Sequence, residues 1–89
     1  MNTLPEQMNR WCESAGIRAT GRQAELRRRL SDEGVKRTRG AVSRWFSETI
    51  GTRPDDDAIR ALVRVLDLGP TDELALYRLP VLRSEASAA

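Results

Sequence analysis

The sequence predicts an all-α domain of five short helices, and three observations carry that prediction. Apolar residues recur at three- and four-residue intervals, and nothing in the first seventy positions alternates as a strand would. Capping residues stand just ahead of the apolar segments, and glycine or proline punctuates their ends. The chain has 89 residues, which is room for one small core and little else.

Thr3 followed by Glu6 has the capping-box spacing, in which side chains satisfy the orphan N–H groups of a helix start. Leu4, Met8, Trp11, Cys12 and Ala15 follow at helical intervals, and Gly16 is placed to stop the helix. Thr20 with Gln23 repeats the box. It opens a second helix with Ala24, Leu26 and Leu30 inward and Arg22, Arg27, Arg28 and Arg29 on the remaining surface, ending near Asp32 ahead of Gly34. Thr38 is the expected N-cap of a third helix and Gly51 its expected stop.

Within that third helix the stretch TRGAVSRWF separates into two faces. Ala41, Val42, Trp45 and Phe46, continued by Thr49 and Ile50, fall on one side, and Arg39, Gly40, Ser43, Arg44 and Ser47 on the other. Pro54 and the three aspartates Asp55, Asp56 and Asp57 start a fourth helix, where acidic groups sit favourably against the helix dipole. Ile59, Leu62, Val63 and Leu66 form its apolar stripe. After a break at Gly69 and Pro70, Thr71 is the expected cap of a last helix through Leu79, ended by Pro80. Val81, Leu82 and Arg83 suit a short extended segment. Residues 1–83 are expected to form a single domain and residues 84–89 a disordered tail. No helix is amphipathic enough to stand alone, so a shared core is expected from Trp11, Leu26, Leu30, Val42, Trp45, Ile59, Leu62, Val63 and Leu66.

Composition narrows the function. There is no histidine and one cysteine, Cys12, so neither a zinc finger nor a histidine relay nor a disulfide framework is expected. Cys12 lies in an apolar pattern and reads as an inert buried thiol. The aspartates at 55 to 57 have no partner ligands of suitable spacing, so no metal site, cofactor or enzyme activity is expected. No run approaches the ~18 apolar residues of a membrane span, and the start of the chain lacks a secretory pattern; a cytoplasmic location is the expectation. The net charge of +2 conceals an asymmetry. Residues 1–53 hold eleven basic and six acidic residues, whereas residues 54–89 hold four basic and seven acidic. All the basic residues except Lys36 are arginines, the side chain suited to bidentate bonding of phosphate or guanine.

The succession RQAELRRRL, GV, AVSRWF and AIRALVRVLDL resembles the Cro and lambda-repressor class of bacterial and phage helix-turn-helix regulators over about residues 20 to 75. The resemblance implies a five-helix lambda-repressor-like domain whose third helix enters the DNA major groove, usually in a dimer on a palindromic operator. It implies that Gln23 braces a phosphate, that Leu26, Leu30, Val42 and Trp45 face inward, and that Ser43 and Arg44 face outward. Arg39 and Gly40 would lie nearest the base edges. Two features depart from the class: Arg27 stands where a small residue is usual, and the joint from Ser31 to Arg37 is seven residues where ~3 to 4 is usual.

Arg39, Gly40, Ser43 and Arg44 are therefore the expected base-reading residues. Arg22, Gln23, Lys36, Arg37, Thr38, Ser47 and Arg53 are the expected phosphate contacts. A lone domain covers one half-site, so a homodimer is expected through Leu74, Tyr77, Leu79, Val81 and Leu82, with Leu76 beside them. Removal of residues 72–89 is then expected to cost DNA binding far more than folding. The leading function is a sequence-specific, double-stranded DNA-binding transcriptional repressor, Cro-like, of a phage or prophage, with no small-molecule ligand. The antitoxin of a toxin–antitoxin pair, using the same DNA-binding fold, and a protein-interaction module that inhibits a host enzyme are the alternatives.

Overall fold

The computed structural model describes residues 2–83 and holds five helices: α1 (Leu4–Ser14), α2 (Arg22–Asp32), α3 (Arg39–Trp45), α4 (Asp56–Val65) and α5 (Pro70–Arg78). No strand occurs among the described residues. The expected tail, residues 84–89, lies outside them.

Caps and glycines set the helix limits. Thr3 accepts the Glu6 amide at the start of α1, and Thr38 accepts the Ala41 amide at the start of α3. At the end of α1, Gly16 is left-handed (φ +79°), and the Ile17 amide reaches back to the Cys12 carbonyl at 2.8 Å. Gly34 (φ +84°) does the same after α2, with the Val35 amide on the Leu30 carbonyl at 2.9 Å. Ile17 is thereby carried into the core. Because α2 runs through Asp32, the joint to α3 shortens to residues 33–38.

Four boundaries differ from the sequence reading. The N-cap of α2 is Gly21, left-handed at φ +71° and without a side-chain bond, so Thr20 does not cap and Ala24 is turned to solvent. The N-cap of α5 is Gly69, with Pro70 at the first helical position, which leaves Thr71 inside the first turn. Val81, Leu82 and Arg83 form no strand; the Arg83 amide bonds the Glu48 carbonyl instead.

The third helix ends at Trp45, well short of Gly51. The Ser47 hydroxyl accepts the amides of Thr49 and Ile50, which gives the backbone a competing partner, and the chain folds back so that the Thr52 amide bonds the Arg44 carbonyl. Gly51 sits at that fold, and a Cβ there would overlap the Ser47 carbonyl and crowd Arg44 O and a Val81 methyl. Its role is close backbone approach, not a left-handed stop. Ile50, expected on the apolar face, is consequently 70 % exposed.

Helix α2 packs against α3 and α4, α1 against α3, and α4 against α5, around one core. The radius of gyration, 12.1 Å, matches the ~12 Å of a compact chain of this length. Trp11, Leu26, Leu30, Val42, Trp45, Ile59, Leu62 and Leu66 are buried as expected, whereas Val63 is only half-buried. Leu4, Met8, Ala58, Ala61, Leu76 and Val81 complete the core. Each large aliphatic side chain so buried contributes ~1.5–3 kcal/mol. Burial also pushes the Cys12 thiol up to about 11, well away from a reactive thiolate.

Candidate nucleic-acid interface

The third helix is anchored by two residues and displays the rest. Val42 and Trp45 are buried at 1 % and 3 % exposure, while Arg39, Gly40, Ser43 and Arg44 are exposed. At ~100° per residue, Gly40 and Ser43 lie at the middle of the outward side, and Arg39 and Arg44 flank it on opposite edges. The short side chains between two long ones leave a strip on which a flat polar surface can come close.

The arginines divide by whether the protein already holds them. Arg28 bonds Glu25 and Asp32, and Arg29 bonds Glu25. Arg64 pairs with Glu33, and Arg60 with Asp57. By contrast the side chains of Arg27, Lys36, Arg39 and Arg44 make no ion pair or hydrogen bond among the described residues, as is also true of those of Arg10 on α1, Arg18 on the α1–α2 loop and Arg78 on α5.

Several residues expected at phosphates are engaged inside the protein. Arg22 is 8 % exposed; its Nη1 donates to Asn9 Oδ1 at 2.8 Å and its Nη2 to the Ile17 carbonyl at 3.2 Å. Arg53 donates at 2.6 Å to both the Leu76 and the Leu79 carbonyl, and so caps the end of α5. These bonds take Arg22 and Arg53 out of the phosphate set. Arg37 forms a two-nitrogen bridge to Asp55 (2.6 and 3.1 Å), tying the α2–α3 loop to the start of α4. The Thr38 hydroxyl caps α3, and the Ser47 hydroxyl holds the following turn. Gln23 and Lys36 remain exposed.

Arg27 is the residue that the sequence reading undervalued. It lines a groove of about 600 Å³ with Gln23, Arg39, Val42 and Phe46, and a second of about 430 Å³ with Lys36 and Arg37. The signal was available. Arg28 and Arg29 have Glu25 three and four residues before them, whereas the neighbours of Arg27 at those spacings are Gln23, Ala24, Leu30 and Ser31, none of them acidic.

The expected dimer residues also separate. Val81 belongs to the core, and Leu79 and Leu82 are half-buried against it; only Leu74 (50 %) and Tyr77 (45 %) are well exposed. Tyr77 holds its proton above the usual phenol range, through partial desolvation and then the nearby charge of Asp56.

Hydrogen bonds from Arg28 and then Arg29 pull the Glu25 carboxyl down to about 2, and the Arg37 bridge lowers Asp55 in the same sense. A carboxyl depressed on folding contributes stability above its ordinary range, and that stability is lost as pH falls through the depressed value. The melting temperature in low salt should therefore hold steady from pH 8 to 5 and drop between about 4.5 and about 2. Glu25→Gln should flatten part of that drop, and an unchanged acid limb would show that the Glu25 bridges contribute nothing.

Comparison with known protein families, with curated proteins and with solved structures finds no match. No helix among the described residues is long and apolar enough to cross a membrane. No cluster of potential metal ligands occurs among them either.

Proposed function

We propose that this protein is a sequence-specific double-stranded DNA-binding regulator, a repressor of the Cro and lambda-repressor kind acting in the cytoplasm, with α2 and α3 as the helix-turn-helix and α3 in the major groove. One observation supports this reading above the others. Helix α3 spends Val42 and Trp45 on the core and turns outward two short residues flanked by two guanidiniums that no protein acceptor holds.

A helix ~10–12 Å across fits the major groove, where arginine reads guanine O6 and N7 with two parallel bonds. Gly40 and Ser43 let the helix approach, and Arg44 reaches the base edges. Exposed Lys36 supplies sequence-independent attraction and exposed Gln23 a neutral hydrogen-bond donor to the backbone. The reading extends to a homodimer, because one half-site seldom competes with a genome of nonspecific DNA. Leu74 and Tyr77 on α5 are its proposed contact.

Arg44→Ala should relax base preference at one position of each half-site by ~1–3 kcal/mol while leaving the melting temperature unchanged. Equal weakening on all duplexes, with base preference intact, would place Arg44 on the backbone and turn the helix the other way.

A further inference from the structure

The groove between α2 and α3 supports a second assignment, which rests on the reading of α3 as a duplex-reading helix. Arg22, Gln23 and Arg27 line it from α2, and Arg39, Val42 and Phe46 line it from α3 and its C-cap. None of its lining residues is acidic. The Arg22 side chain is nine-tenths buried, and its Nε has no hydrogen-bond partner. The carboxylate nearest to it, Glu13, stands 3.6 Å away and is itself 67 % exposed, so solvent screens it. A buried guanidinium incompletely neutralised therefore backs a groove that already carries two unpaired ones. Like charges facing one another across an apolar-lined cleft are unfavourable until an anion sits between them.

We propose that Arg27 and Arg39 together clamp one backbone phosphate of the bound duplex in this groove. Two planar guanidinium forks approaching from opposite walls match the two free oxygens of a phosphodiester, and Gln23 offers a neutral donor beside them. The half-buried Phe46 gives the adjoining sugar an apolar surface. Arg22 stays in its internal bonds and acts through its charge. Arg39 thus holds the backbone at the α2 edge of α3, and base reading falls to Gly40, Ser43 and Arg44. Arg27, the departure from the pattern of small residues, acquires a purpose: it turns the close approach of two helices into a phosphate seat.

The test uses the full chain and the duplex that it enriches from a random pool. Arg27→Ala and Arg39→Ala should each weaken binding about tenfold and reduce the slope of log affinity against log salt by about 1, with base preference unchanged. The double variant should lose far less than the product of the single losses, because both side chains serve the same phosphate. A neutral methylphosphonate at that one position should weaken the wild type to the level of the single variants and leave the variants little changed. Losses that multiply would assign the two arginines to separate contacts. An altered preferred base in Arg39→Ala, at an unchanged salt slope, would return Arg39 to base reading; either result overturns the clamp. Salt slopes unchanged in both variants of a chain that does select a duplex would refute the clamp alone, and failure of the wild type to select any duplex would refute the reading of α3 and the clamp with it.

Discussion

Gly51→Ala should destabilise the domain by about 2–3 kcal/mol, a drop in melting temperature of roughly 10–20 °C for a chain of this size. A Cβ at position 51 overlaps the carbonyl oxygen of Ser47 and stands 3.0 Å from both the Arg44 carbonyl and a Val81 methyl. Two of the three obstacles are backbone, which cannot swing aside as a side chain can. The fold-back after α3 would have to open, loosening the Thr52 bond to Arg44 and the seat of Val81. Gly40→Ala provides the contrast. Position 40 lies in α3 with nothing within 4 Å of an added Cβ, so alanine there should stabilise by ~0.5–1 kcal/mol through helix propensity. Thermal melts followed by circular dichroism separate the two, and a neutral Gly51→Ala would mean that the turn after α3 is not packed as described.

Arg53→Ala carries the second large effect. The Arg53 guanidinium holds the carbonyls of Leu76 and Leu79 at 2.6 Å each, joining the segment after α3 to the end of α5. Loss of two charge-assisted bonds, with their acceptors left near the core, should cost roughly 2–4 kcal/mol. Arg53→Lys should recover only part of this, since one ammonium cannot span both carbonyls as the fork does. Where DNA binding is measured below the melting transition, its salt slope should be that of the wild type. A slope reduced by about 1 at unchanged stability would restore Arg53 to the phosphate contacts. The same joint bears on the end of the chain. Leu76 is fully buried, Val81 nearly so, and the Leu4 amide bonds the Pro80 carbonyl at 2.7 Å, so removing residues 72–89 strips the core. Folding and any binding should then be lost together, contrary to the sequence-based expectation that binding would suffer far more than folding.

The helices and their inward faces were legible because their signals are local. Thr3 and Thr38 cap where their spacing places them, Gly16 and Gly34 turn left-handed at the helix ends, and Ile59, Leu62 and Leu66 of the α4 stripe pack inward. What could not be read was long-range. Arg22 and Arg53 look like any surface arginine until the Asn9 amide oxygen and the Leu76 and Leu79 carbonyls come within reach, 13, 23 and 26 residues away. Gly51 reads as a helix stop because glycine has both uses, and only the return of the chain past Ser47 and Arg44 shows which applies. The outward residues of α3 were legible for the same local reason as its core residues, being the complement of one amphipathic pattern.

Selection of bound duplexes from a random pool tests the central claim, that α3 reads DNA through Gly40, Ser43 and Arg44, most directly. A twofold-symmetric site should emerge, with half-sites one helical turn (~34 Å) apart and a guanine that loses its enrichment when Arg44→Ala is selected in parallel. A pool unenriched after repeated rounds, or a site whose every position survives Arg44→Ala, would contradict it.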